Sequence, residues 1–490
     1  MNIFIIDIGT SSMRGIFYDQ NANMYFQKQL KTLPNYQNNG WVEQNPNSWK
    51  TGLFSLLKSL SDYCHDNNIL PDVISLTAQR SSVIPVSSKG VPLANAIMWQ
   101  DKRTHAYEKK LEDFNSILFS KSGSKVNSVF SACKMLWFKE NMPNIYKHTA
   151  KFVVIPDYLL WLLTENFITD YTYGSRSLLM NLKDKTWDNT LLDIFQIDKQ
   201  KLCELVPPGS ICGYLASNIA KTVGLPQGIP IVSAGGDQQC AALGMGVLHT
   251  GNVELTAGTG AFLLAGSDIY PDNASADVIV SASAIPNSYL LESSVLACCS
   301  AYDWFLRSFY PECQTSDYSV INEEIKLSHK SPLIALPYFQ GRATPDWNST
   351  AEASFHHIDL STTRGDFARA ILEGICYEIN CNLLTLKKYI GNVTSASICG
   401  GLTKNPLFSQ LVADILNQKL CLYSNCEASA LGAWMQGSIA IGLFNNYEDA
   451  FKAARANDTF TIFDPNTKYL SYYSGKQKDF ELLYQKLYSK

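Results

Sequence analysis

Three short turns of small residues follow apolar runs in this chain: GTSS at 9–12, GTG at 258–260 and GGLTKN at 400–405. Glycine lets backbone N–H groups approach an anion closely, and Thr or Ser adds hydroxyl donors, so such turns suit phosphates. Each one taken alone is equally explained by the positive φ that a tight hairpin demands. A fourth stretch, AGGDQQCAALG at 234–244, sets one carboxylate, Asp237, behind two glycines and ahead of two amides. An acid there either accepts a proton or caps the helix that follows it. The sequence has no G-x-x-x-x-G-K-[ST], and no G-x-G-x-x-G opening a helix after a strand, so neither a P-loop nor a Rossmann site is expected.

The elements that must hold these residues read as α/β alternation with mixed strands. NIFIIDIGTSSMRGIFYD predicts a β-hairpin, Ile3 to Asp7 and Arg14 to Asp19. Trp49, Leu53, Leu56, Leu57 and Leu60 recur at helical spacing after Ser48, the expected N-cap. Val73 to Gly90 reads as two strands closed by a Lys-Gly turn, and 106–165 as mostly helical. A strand ends at Gly235-Gly236 and a helix of small residues follows. GNVELTAGTGAFLLAG, 251–266, then repeats the opening plan of strand, Gly-Thr turn and strand, a weak internal duplication that starts a second half near 249. A helix over TRGDFARAILEGICYEI, a strand SASICGG, helices through 409–443 and a terminal amphipathic helix complete the pattern.

At 490 residues the chain exceeds one core, and 46% hydrophobic with 17% charged residues is the composition of a folded globular protein. A net charge of −4 with dispersed Lys and Arg argues against nucleic acid as a partner. The opening MNIFIIDIGT lacks a basic n-region and a cleavage site, and apolar runs such as YLLWLL at 158–163 are too short for a bilayer, so no membrane association and a cytoplasmic location are expected. The 13 cysteines are odd in number and form no C-x-x-C pair, which fits buried free thiols in a reducing compartment rather than zinc ligands. Adjacent Cys298 and Cys299 are expected to pack rather than pair.

Taken in order, the pieces DIGTSSMR, GWVEQNPNSW, MWQDKRT, KMLWFKEN, DYTYGSRS, GGDQQ, TAGTGAF, CGGLTKNP and EASALGAWMQG resemble the FGGY carbohydrate kinases, the family of glycerol kinase and xylulokinase in the actin-like ATPase superfamily. The resemblance runs almost the full length, and WVEQNP, WQDKRT and DYTYGSRS match glycerol kinase in particular. It implies two ribonuclease-H-like domains, 1–248 carrying the sugar site and base and 249–490 binding nucleotide, with a catalytic cleft between them. By position it implies Asp237 as catalytic base, Asp7 as the acid that orients Mg²⁺ through water, and Thr10, Ser11 and Arg14 with Gly258 and Thr259 as two phosphate hairpins around ATP. Gly400, Gly401, Leu402 and Asn405 match the nucleoside-binding turn.

The sugar side departs from glycerol kinase. Arg80 is kept, but Ser81 and Val129 stand where that relative carries a substrate-binding Glu and Tyr. Trp99, Gln238 and Phe262 match the family's pocket wall, and Asp101 falls where ketose-specific relatives carry a substrate-contacting Asp. Losing a buried acceptor and a phenol weakens glycerol binding and enlarges the pocket, so the expected acceptor is a larger polyol or ketose. The alternatives are a glycerol kinase with a remodelled pocket and an actin-like nucleotide-binding module without an acceptor. A homodimer is compatible with this reading.

Overall fold

The computed structural model describes residues 1–311, 318–328 and 331–488, so Cys313 lies outside the described residues. Two sheets carry the chain. The first runs, from one edge to the other, through Ile211–Tyr214, Pro230–Gly236, Val73–Ala78, Ile3–Ile8, Ser12–Tyr18 and Met24–Lys31. Every residue of Ile3–Ile8 is buried, as an unbroken apolar run requires when a strand is covered on both faces. It pairs antiparallel with Ser12–Tyr18, closing the expected hairpin, and parallel with Val73–Ala78.

The second, seven-stranded sheet repeats that plan. Asn252–Ala257 is antiparallel to Ala261–Ser267 and parallel to Ser395–Cys399, so the two Gly-Thr hairpins occupy equivalent places in their sheets. The helix Arg364–Ile390 opens with a capping box between Thr363 and Asp366 and lies in the core of this half.

Two local expectations are corrected. The first helix spans Pro46–Asn67 and is capped by Asn45, whose side chain accepts from Asn47 N at 3.0 Å. Ser48 lies inside the first turn, because Pro46 fits the first helical position and moves the cap one residue ahead of it. The strands Val73–Ala78 and Ile84–Val86 do not form a hairpin with each other; the second pairs with Lys151–Val153. Residues 79–82 leave the sheet between them, with Ser81 at φ 69°, and the Lys89-Gly90 turn closes only a bridge from Val86 to Pro92.

The halves join through two helices. Asp237–Gly244 crosses Ala428–Ala440 so closely that a Cβ on Gly432 would lie 1.9 Å from Cys240 O, and one on Gly244 would lie 2.1 Å from Ala428 O. Although it lies in sequence between two strands of the second sheet, Leu420–Tyr423 and Phe460–Phe463, Ala428–Ala440 packs on the first one, where Ser75 Oγ donates to Ala433 O at 2.8 Å. None of the described cysteines is in a disulfide, and among the described residues no helix is long and apolar enough to cross a membrane.

Candidate active site

The turn that presents Asp237 is built by hydrogen bonds with two other segments. Thr77 Oγ1 and Tyr173 Oη both donate to Gly235 O at 2.8 Å, and Gly236 N donates to Thr172 Oγ1 at 2.8 Å. Asp170 anchors this lattice by accepting from Ser233 Oγ and from Thr172. The DYTYGS stretch therefore acts as a brace for the Gly-Gly turn. Gly235 has φ +118°, and a Cβ on Gly236 would meet Arg80 Cδ at 2.8 Å, so neither place admits a side chain without displacement.

Asp237 is the first residue of its helix, and Gly236 is the cap. Its Oδ1 accepts from Gln238 N at 2.8 Å and lies 3.8 Å from Arg80 Nε. The cap alternative is thereby removed. Burial pushes its carboxyl up to about 6 against the pull of Arg80, with further upward pressure from Asp7. A carboxylate tuned to that value is a stronger base than a free one and still largely ionised near neutrality.

The first hairpin sits beside it. Gln79 Nε2 donates to Gly9 O at 3.0 Å, and Trp99 Nε1 donates to Thr10 Oγ1 at 3.1 Å, which ties the expected pocket wall to the expected phosphate turn. Trp99 is 37% exposed, and Ser11 is exposed at the tip. Asp7 faces Arg14 across the hairpin in register, with Arg14 Nη2 donating to its Oδ2 at 2.5 Å. Burial raises the Asp7 carboxyl more than Arg14 lowers it. Arg14 also donates to Glu427, so two of its N–H groups are engaged by carboxylates of the chain itself.

The second hairpin rests on a helix N-terminus: Cys298 N and Cys299 N donate to Thr259 O and Gly258 O, each at 2.9 Å. Thr259 is exposed, and Phe262, on Ala261–Ser267, is 44% exposed. Gly400 has φ +106° and lies against Ala257 at the base of this hairpin, where a Cβ would meet Ala257 O at 2.3 Å; a Cβ on Gly401 would meet Cys299 Sγ at 3.8 Å, an ordinary contact.

Three expected ligands are placed elsewhere. Leu402 is 2% exposed in the second core. Asn405 is fully buried, caps Pro406–Leu416 through Leu407 N and exchanges bonds with Asn322, so its amide has no free edge toward a nucleotide. Asp101 is 1% exposed and saturated: Oδ1 accepts from Arg103 N and Nε, and Oδ2 from Arg103 Nη2 and Val42 N. No lone pair remains for a sugar hydroxyl. Its work is to hold Arg103 between Trp41 and Trp137.

The residues that sequence reasoning missed lie across the junction of the halves. Glu292, on Tyr289–Val295 of the second sheet, accepts from Arg80 Nη1 at 3.1 Å, from Arg176 Nη1 at 3.3 Å and from Ser281 Oγ at 2.7 Å. Burial alone would raise its carboxyl, but Arg176, Arg80 and the Ser281 bond overcome that and hold it down to about 2. One available sign was a single acid inside the apolar run YLLESSV, since a charge in a buried strand needs partners. Arg176 lies in the DYTYGSRS motif, yet its partner stands 116 residues away. Ser81 is buried and its Oγ donates to Arg176 O.

Comparison with known proteins identifies the family. Residues 2–244 match the N-terminal domain, and residues 253–441 the C-terminal domain, of the FGGY family of carbohydrate kinases. A glycerol kinase of Thermococcus onnurineus (strain NA1) is 30% identical, with 97% of this chain and 96% of that one covered. A xylulose kinase of Staphylococcus epidermidis is 26% identical over 98% of this chain and 96% of that protein. The crystal structure of Plasmodium falciparum glycerol kinase with ADP superposes with a TM-score of 0.91 at 27% identity, covering 100% of this chain and 98% of that one. With the two-sheet fold, the duplicated Gly-Thr hairpins and the raised acid between them already in view, the chain belongs to the FGGY family of carbohydrate kinases, phosphotransferases that act on an alcohol group.

Proposed function

We propose that this kinase transfers the γ-phosphoryl group of ATP to a hydroxyl of a small ketose or polyol, a pentulose, hexulose or related sugar, with Asp237 as the base. The observation that carries the reading is the state of Asp237: its carboxyl is raised to about 6, lies beside Arg80, and among the described residues accepts a hydrogen bond only from its neighbour's N–H. The acceptor oxygen bonds to the γ-phosphorus, the bond from that phosphorus to the β-γ bridging oxygen breaks, ADP departs, and the hydroxyl proton passes to Asp237. Phosphoryl transfer asks mainly for positioning and charge neutralisation, so one such base suffices.

Arg80, Trp99, Gln238 and Phe262 are the proposed acceptor contacts, with Arg80 held in place by Glu292. Thr10, Ser11, Gly258, Thr259, Gly400 and Gly401 are the proposed nucleotide contacts, each at an accessible or side-chain-free position of its turn. A magnesium ion fits the carboxylate pair: Asp7 raises Asp237 electrostatically, and among the described residues nothing donates to Asp7 Oδ1. Two acidic groups coupled electrostatically suit a hard cation that keeps most of its waters, and that ion would supply charge neutralisation on the β- and γ-phosphates. The unpaired thiols support a cytoplasmic setting.

ADP release measured with Mg-ATP against glycerol, pentuloses, hexuloses, polyols and sugar acids tests the reading. A strong dependence on one acceptor class is expected. Release that no acceptor stimulates would leave the nucleotide-binding module as the better account.

A further inference from the structure

Arg14 stands where the first Gly-Thr hairpin meets a segment from far along the chain. It lies on Ser12–Tyr18, and its terminal amino groups are held by different carboxylates: Nη2 donates to Asp7 Oδ2, and Nη1 donates to Glu427 Oε2, 413 residues away. Glu427 is the residue directly ahead of the helix Ala428–Ala440. Its backbone is fixed in turn, since Glu427 N donates to Asn425 Oδ1 at 2.9 Å.

The same helix end also reaches the base. Ser429 Oγ donates to Asp237 O at 3.1 Å, and Gly432 and Gly244 bring the backbone of this helix against that of Asp237–Gly244 with no room for a Cβ. One closely packed element therefore contacts both the hairpin arginine and the main chain of the proposed base. A guanidinium holds all its N–H groups in one plane, so bonds to two carboxylates settle where the rest point. The Arg14 side chain is 22% exposed, which leaves that remaining capacity open to a ligand. The Glu427 side chain is 35% exposed, and a pair so open to water adds little stability, so its main effect is on where Arg14 is aimed. Asp7 acts electrostatically on Asp237, which puts the Arg14–Asp7 pair on the side to which a phosphoryl group must come for an acceptor oxygen beside the base to attack it.

We propose that Glu427 is a positioning residue for phosphoryl transfer: it aims the Arg14 guanidinium at the γ-phosphoryl group of bound ATP and itself touches neither nucleotide nor acceptor. The inference rests on the kinase reading above and deepens it, because the helix that follows Glu427 then links the phosphate hairpin to the base.

The test separates aiming from folding. Glu427 makes no side-chain cap bond with its helix, so Glu427→Ala removes the contact to Arg14 and leaves the helix start intact. Calorimetric titration with Mg-AMPPNP, whose nitrogen bridge blocks transfer, and with Mg-ADP reads the γ-phosphoryl contact without any acceptor. The expected result for Glu427→Ala is a Kd for Mg-AMPPNP raised about tenfold, equivalent to about 1.4 kcal/mol, with Mg-ADP affinity and thermal midpoint nearly unchanged. Glu427→Gln, whose amide oxygen still accepts from Arg14, should fall between Glu427→Ala and wild type. With whichever of glycerol, D-xylulose, D-fructose, sorbitol and D-gluconate supports turnover, kcat of Glu427→Ala should drop about tenfold while the acceptor KM stays. In an Arg14→Lys background, which keeps the charge and loses the planar fork, Glu427→Ala should add little, because the two residues act as one unit. Additive losses, equal weakening of both nucleotides, or unchanged binding and kcat would overturn the proposal. Tighter Mg-AMPPNP binding would overturn it as well and mark Glu427 as a competitor of phosphate for Arg14. Wild type that binds neither nucleotide removes the kinase reading and this inference together. Wild type that binds both and phosphorylates no probe counts against the acceptor reading alone, and the titrations then decide the role of Glu427.

Discussion

Glu292 Oε1 lies 3.1 Å from Arg80 Nη1, joining a strand of the second sheet to the loop of the first that faces the proposed base. The arginine is thereby oriented by a residue 212 positions away, and its Nε is left 3.8 Å from Asp237. Glu292→Gln removes the counter-charge from two buried guanidinium groups. Breaking a buried pair from one side costs about 3–5 kcal/mol, so a marked fall in thermal midpoint is expected, together with a raised acceptor KM. The carboxyl is depressed to about 2 when folded, so its contribution is complete above the ordinary glutamate range and is lost as pH falls from there through about 2. Wild type and variant should converge in stability in strong acid, and a constant gap across pH 2–7 would contradict the assignment.

Asp237→Asn should abolish turnover by about 10²–10⁴-fold, with ATP affinity retained. Because its folded carboxyl is raised to about 6, the ionised form is disfavoured by folding near neutrality, and the amide should raise the thermal midpoint slightly at pH 7. In the wild type, kcat/KM should fall tenfold per pH unit below about 6, where the base becomes protonated. Rapid-quench or coupled assays from pH 5 to 8 measure this, and a flat profile would remove Asp237 as base.

Gly236→Ala adds a Cβ at 2.6 Å from Gln239 Oε1 and 2.8 Å from Arg80 Cδ, two side chains hydrogen-bonded to each other, while the φ of −61° at that residue is one alanine adopts freely. The expected outcome is a raised acceptor KM with near-normal stability, because the flexible arginine moves and the backbone stays. An unchanged KM would show that Arg80 does not need its present path.

Asp101→Asn separates packing from acceptor binding. Arg103, whose side chain is 2% exposed, would keep Glu43 as its one carboxylate partner among the described residues, so a stability loss of up to about 3–5 kcal/mol is expected. Acceptor KM should stay at the wild-type value in the folded fraction; a selective KM increase would restore Asp101 as a substrate contact.

Gly432→Ala tests the helix crossing that joins the halves. Its Cβ would come within 1.9 Å of Cys240 O, a backbone atom with no rotamer to escape by, so a destabilisation of roughly 1–3 kcal/mol or more is expected by calorimetry. Cys240 follows Asp237 on the same helix, so turnover should fall with it.

Much of this protein was legible along the chain. The hairpins of Ile3–Ile8 with Ser12–Tyr18 and of Asn252–Ala257 with Ala261–Ser267, and the strand-to-helix turn at Asp237, are local features whose apolar runs, glycines and small residues specify them within about twenty residues. The phosphate-type turns and the lone acid could therefore be found by reading. What tertiary structure alone decided was the direction and partner of each charge. Asp101 and Asn405 look available in sequence, yet each is closed off by neighbours in space, Arg103 with Val42 and Asn322. Glu292 looks like one acid in a strand, and becomes the clasp on Arg80 and Arg176 only when the two sheets meet. Burial and pairing depend on segments hundreds of residues apart, and a carboxylate's role follows from the dielectric and the counter-charges around it, which linear spacing does not encode.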